Sequence, residues 1–106
     1  MLLAWTTVAS RPDADRLAAT AVSRNLAVCV QIDGPITSHY RWQGQDARSE
    51  EFRLQFKCLE SQLAGLEAFV LDEHPYETPE WIVVRAERVA EKYLSWARAN
   101  SSTPPL

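Results

Sequence analysis

The chain has 106 residues, 46% of them apolar and 24% charged, a balance that fits one globular domain and excludes a disordered or fibrous chain. Eleven Lys and Arg against 14 Asp and Glu leave a formal net charge of −3, which speaks against a dedicated nucleic-acid binder. No apolar run approaches the roughly 20 residues a membrane-crossing helix needs, and two cysteines, Cys29 and Cys58, are too few for a disulfide framework.

In chain order, Leu2 to Val8 is short, apolar and rich in Thr, Val and Trp, as a buried strand requires. Ser10 is placed to cap a helix over 12–24, with Pro12 in its first turn, Leu17, Ala18, Ala21 and Val22 at helical spacing, and Asn25 as its stop. From Leu26 the period changes to two: Leu26, Val28, Val30 and Ile32 face one way, Ala27, Cys29 and Gln31 the other. Asp33-Gly34-Pro35 interrupts this strand as a bulge or bend, after which Ile36, Ser38, Tyr40 and Trp42 alternate with Thr37, His39 and Arg41. The polar run Gln43 to Ser49 reads as the hairpin connection. In the returning strand Phe52, Leu54, Phe56 and Cys58 oppose Glu51, Arg53, Gln55 and Lys57. Leu59, Leu63, Leu66 and Val70 define a helix over 60–71, and a Pro-bounded loop spans Asp72 to Glu80. Trp81 to Ala86 makes a fourth strand, Val89 to Ala97 a short helix.

The order β-α-β-β-α-β plus a final helix is an α+β, ferredoxin-like split β-α-β pattern with an extended hairpin between its second and third strands. Residues 1–100 form a single domain, and 101–106, with two prolines, a flexible tail. The hairpin is too long for so small a sheet. Its far half, Ile36 to Phe52, stands beyond the core and exposes strand edges that neighbouring copies would have to cover, so an oligomer is expected. Trp42 and Trp96 are candidate interface anchors, with ordinary core packing as the alternative. The N-terminal MLLAWTTVAS has no Lys or Arg ahead of its apolar run and starts directly at the first strand. It therefore lacks the opening of a secretion signal, and a cytoplasmic location is expected.

Chemistry is sparse. The three glycines form no phosphate loop. His39 has no partner at metal-ligand spacing and reads as a surface or interface residue. Each cysteine sits in an apolar alternation, as a small core hydrophobe does; whether they pair depends on a separation the sequence does not state. No nucleophile–base pair stands out, so no enzyme is expected. The densest cluster is Glu73-His74-Pro75-Tyr76-Glu77-Thr78-Pro79-Glu80. Its imidazole and carboxylates make a ligand set for a borderline divalent ion, but the same residues also suit an ordered loop with capping and packing roles. Lys57 is either a solvated strand lysine or a counter-charge to these carboxylates.

Several runs resemble the CutA family of divalent-cation tolerance proteins: Leu26-Ala27-Val28-Cys29, Ile36-Thr37-Ser38-His39-Tyr40-Arg41-Trp42-Gln43-Gly44, Glu51 and Lys57, His74-Pro75-Tyr76-Glu77-Thr78-Pro79-Glu80, and Tyr93-Leu94-Ser95-Trp96. The resemblance implies a homotrimer whose long hairpins pair between subunits, an architecture similar to that of PII signalling proteins. It also implies no enzymatic reaction and no required cofactor, but a role in tolerance of divalent ions with copper, Cu(II), or another divalent cation as ligand. In the bacterial pattern the metal ligands are a Cys at the end of the first strand, a His before the HPY motif and the Glu that closes it. Here these positions are Thr6, Glu73 and Glu80, so the soft ligands are gone and Glu80, His74 and Glu77 are the remaining metal candidates. The alternative is a sensor or scaffold that binds a small anionic ligand in an inter-subunit cleft built from Tyr40, Trp42, Lys57, Tyr76 and Glu80.

Overall fold

A computed structural model describes residues 1–101; most of the tail expected over 101–106 lies outside them. Strand β1 (Leu2–Val8) leads into helix α1 (Arg11–Ser23), and strands β2 (Cys29–Trp42) and β3 (Gln45–Cys58) form the long hairpin. A 3-10 turn (Glu60–Gln62) precedes α2 (Leu63–Glu73), followed by β4 (Ile82–Arg85) and α3 (Glu91–Ser101). The four strands make one antiparallel sheet in the order β2-β3-β1-β4, a mixed α+β architecture. Ala14, Leu17 and Ala21 of α1 and Leu66, Phe69 and Val70 of α2 pack with Leu2, Ala4, Val8, Leu54, Phe56 and Cys58 of the sheet in one core.

The helix boundaries follow local chemistry. Ser10 Oγ accepts the Asp13 N–H at 3.2 Å at the start of α1, and Asn25, at φ 59°, turns the chain out of it while Leu26 N–H reaches back to the Ala21 carbonyl at 2.8 Å. Gln62, buried at the head of α2, accepts the Leu59 N–H at 2.9 Å and donates to the Asn25 carbonyl at 3.1 Å, joining two connections. The last helix spans Glu91–Ser101 rather than ending near Ala97, so Ser101 belongs to it. Asn25 Nδ2 donates to the Ser101 carbonyl at 2.8 Å, which holds its end against the α1–β2 connection.

The hairpin departs from expectation at its tip. Its strands extend to Trp42 and Gln45, leaving a two-residue turn at Gln43-Gly44, both at positive φ (51° and 77°), the signature of a tight hairpin turn. The polar residues Gln45 to Ser49 are therefore strand, since an arm exposed on both faces carries no apolar alternation. The interruption expected at Asp33-Gly34-Pro35 is a bulge. Asp33 pairs with Arg53 and Ile36 with Glu51, so three steps along β2 match two along β3. Directly opposed residues share a face. Val30 and Ile32, opposite Phe56 and Leu54, face the helices, whereas Ile36, Ser38, Tyr40 and Trp42 lie with Glu51, Ser49, Ala47 and Gln45 on the other side. Gly34, at φ 144°, makes this possible, because a Cβ there would sit 2.9 Å from the Glu51 carbonyl oxygen and 3.0 Å from Phe52 Cδ1.

β1 pairs with β3 only as far as Phe52; beyond it the hairpin is a two-stranded arm. The chain measures 50 × 30 × 21 Å with a radius of gyration of 14.9 Å, against about 13 Å for a compact chain of this length. Cys29 lies opposite Lys57 while Cys58 is the next residue along, so the two thiols point to opposite faces and both are free. Cys58 is core; Cys29 is half-buried on the other face, not the core hydrophobe expected. Trp42 and Trp96 are 56% and 45% exposed, so neither is a core aromatic of its own chain.

Candidate functional site

The bulge and the loop after α2 act together. Because the bulge moves Tyr40 and Trp42 to the Glu51 face, the root of the arm meets the loop 74–80 as it crosses the end of β1. Between them lies a depression of about 740 Å³, its walls including Tyr40, Trp42, Tyr76, Glu51, Glu77 and Glu80. Ser38, Ser49, Thr7 and His39 complete much of its lining.

Thr6 and His74 hold the loop. The Thr6 hydroxyl, fully buried, donates to the Glu80 carbonyl at 2.7 Å. His74 Nδ1 accepts the Tyr76 N–H at 3.0 Å, which leaves the neutral ring's proton on Nε2. Nε2 then donates to the Thr7 carbonyl at 2.9 Å, with Thr6 Oγ1 at 3.0 Å. Burial holds the imidazole below the usual histidine range, against the raising effect of the Thr7 carbonyl and of Asp13 and Glu51. The ring leans on Tyr76, centroids 4.9 Å apart. Tyr76 in turn donates its hydroxyl to Glu51 Oε2 at 2.9 Å; burial, and then that bond, push the phenol above its usual range. On the arm, Ser49 Oγ donates to the Tyr40 hydroxyl at 3.3 Å.

These contacts decide what the loop can coordinate. Both nitrogens of His74 are engaged by the backbone that shapes the loop, the Thr6 hydroxyl is engaged by Glu80, and Glu73 is drawn to Arg16 at 3.5 Å. Among the described residues no three His, Cys, Asp or Glu converge as metal ligands. This donor set does not fit a copper centre of imidazole and thiolate. Lining the depression are the carboxylates of Glu51, Glu77 and Glu80 and the imidazole of His39, without a thiolate.

Of the residues singled out from sequence, Tyr40, Trp42, Tyr76, Glu77 and Glu80 are brought together within one chain, while His74 lies beneath the loop as its support. Lys57 is elsewhere, at the far end of β3, with its Nζ 5.6 Å from the centre of the Tyr93 ring, which itself stacks on Trp96. Glu51 was not expected as a site residue. It occupies a strand position that reads as polar and solvated, and only the loop folding over it reduces it to 8% exposure. Its place opposite the apolar series of β3 is legible in the sequence; the loop that covers it is not.

A family model described as CutA1 divalent ion tolerance protein matches residues 2–100. A protein of Encephalitozoon cuniculi named as a probable divalent-cation tolerance protein cutA homolog is 36% identical over 90 residues, covering 85% of this chain and 78% of its own. The CutA structure from Synechococcus elongatus superposes with a TM-score of 0.91 at 40% identity over 95% of this chain and 89% of that one. The divalent cation tolerance protein of Thermus thermophilus gives 0.89 at 33% identity over 96% and 100%. No described helix is long and apolar enough to cross a membrane.

Proposed function

The chain belongs to the CutA1 divalent ion tolerance family, and from that premise we propose that it works as a non-enzymatic homotrimer in the response to divalent metal ions, with the depression at the root of the arm as its ligand-handling site. The observation that carries this reading is the arm itself. It projects two strands past β1 with an unpaired outer edge, and near it Tyr40 and Trp42 are exposed. Ile82 and Val84 add exposed apolar surface where β4, the opposite edge of the sheet, runs beside β1. Edges and apolar faces of this kind are covered in stable proteins by pairing with further copies, and a three-fold ring closes such heterologous contacts.

Within this reading a divalent cation meets the carboxylates of Glu77 and Glu80, an open oxygen site of harder character than a thiolate–imidazole centre. The proposed compartment is the cytoplasm, where Cys29 and Cys58 stay reduced. A second reading, a PII-like scaffold with a small anionic ligand at the seam between copies, is favoured by one observation: among the described residues Lys57 makes no ion pair and rests on Tyr93, available to a cleft shared with a neighbour.

Light scattering and calorimetry test these together. The expected mass is three times the 12.0 kDa of one chain, with saturable heat from zinc or copper(II) chloride that weakens in the Glu77→Gln/Glu80→Gln double variant and holds in Lys57→Ala. A single-chain mass, or no saturable heat below millimolar metal, overturns the proposal. Loss of anion binding in Lys57→Ala with metal binding intact favours the second reading.

A further inference from the structure

The face of the sheet turned away from the helices carries unlike charge at its two ends. At the arm end lies the depression, lined by the carboxylates of Glu51, Glu77 and Glu80 and the rings of Tyr40, Trp42 and Tyr76, with no Lys or Arg among its lining residues. At the other end, six residues along β3 from Glu51, stands Lys57, on the same face because strand residues alternate. Arg53, between them, is taken by Asp33 through two hydrogen bonds of 3.2 and 2.7 Å. Among the described residues Lys57 makes no ion pair; its Nζ lies 5.6 Å from the centre of the Tyr93 ring, which stacks on the exposed Trp96.

The two ends are complementary but cannot meet within one chain. Six residues of strand separate Lys57 from Glu51 by about 20 Å, several times the reach of an ion pair. Glu51 is the most buried of the three carboxylates, with the Tyr76 hydroxyl on its Oε2 at 2.9 Å. In a single chain water serves the rest of that carboxylate. Once a neighbouring copy covers this face the water is excluded, and a carboxylate out of water needs a paired cation. Lys57 is the cation without an ion pair that β3 of a neighbour presents on this face.

We propose that Lys57 of one copy enters the depression of the next and pairs with Glu51 there, while the Tyr93–Trp96 stack that carries it closes over the exposed rings of Tyr40 and Trp42. The inference rests on reading the chain as an assembly of copies, and it names the contact that joins them. Because the acidic and basic patches lie at opposite ends of one face, the contact is head-to-tail, the kind that a ring closes. The site is incomplete in a single chain, since its cation comes from the neighbour. Glu77 and Glu80, more exposed at the rim, remain for a metal ion.

The test follows the mass of the full chain and its variants by light scattering across a urea series at fixed protein concentration, which yields the subunit dissociation constant. Lys57→Met keeps the length of the stem and removes the charge. It and Glu51→Gln are each expected to raise the dissociation constant at least about tenfold, the effect of breaking a charge-assisted pair away from water. The double variant is expected to go no further than the larger single effect, because both changes remove the same contact. Lys57→Glu, which sets acid against acid, is expected to dissociate more readily than Lys57→Met, by a margin that shrinks in about 1 M sodium chloride; this arm serves where Glu51→Gln fails to fold. A wild-type constant in Lys57→Met, additive effects in a folded double variant, or Lys57→Glu no weaker than Lys57→Met each overturns the proposal. Any of these with a three-chain mass intact removes only this inference. A two-chain mass with coupled effects removes the three-fold reading and leaves the contact, and a single-chain mass removes both.

Discussion

Replacing Gly34 by alanine probes the link between the bulge and the site. At φ 144° an L-residue occupies a backbone region open essentially to glycine alone, at a cost of about 1–3 kcal/mol. The added methyl would also sit 2.9 Å from the Glu51 carbonyl oxygen and 3.1 Å from Phe52 Cα. Both are backbone atoms of a paired strand and cannot turn aside as a side-chain tip would, so overpacking adds about 1 kcal/mol or more. The expected loss is about 2–4 kcal/mol, read as a shift in the urea midpoint at unchanged slope and matched protein concentration. Because the crowded carbonyl belongs to Glu51, the same variant should bind site ligands more weakly. A Gly34→Ala protein within about 0.5 kcal/mol of the parent, the range of an ordinary surface change, would refute the argument that glycine holds the bulge and, through it, the face on which Tyr40 and Trp42 lie.

Other outcomes follow from the same geometry. Tyr76→Phe removes a partly buried bond to a carboxylate and should lower stability by about 1–2 kcal/mol in denaturant titration. His74 is held below its ordinary value by burial, so the unfolded chain takes up a proton the folded chain refuses. Stability should thus be full above about pH 6.5 and fall as the pH drops from there to the lowered folded value, with a flatter profile in His74→Gln. Thiol labelling of the native protein should modify Cys29 and spare Cys58, whose burial pushes its thiol up to about 11; mass spectrometry after iodoacetamide treatment reads the difference, and equal modification would contradict the assigned faces.

The strands and helices were readable where one face is buried. β1, α1 and the apolar series Phe52, Leu54, Phe56 and Cys58 announce themselves because alternation or helical spacing has a core to answer to. The arm was readable only in part, because residues 45–49 have no core beside them and their polarity resembles a loop. Asp33-Gly34-Pro35 was visible as an interruption, but nothing local says that it inserts one residue rather than a simple bend, and that single count decides which side of the sheet Tyr40 and Trp42 occupy. The bond of Glu51 to Tyr76 and the engagement of His74 Nε2 depend on residues 25 and 68 positions away. Contacts over such separations leave no trace in a local pattern.

Both ends of the loop are fastened to the same threonine: His74 from one side and the Glu80 carbonyl from the other meet at Thr6 Oγ1. The five residues between behave like a bracelet closed by one clasp. A side chain outside the clasp, such as that of Glu77, can be exchanged through mutation without reopening the circle, whereas Tyr76 is itself tied to His74 and Glu51; the character of the adjoining hollow can therefore drift over generations while the scaffold beneath stays put. Damage to the clasp has the opposite character, since it would loosen every bead at once.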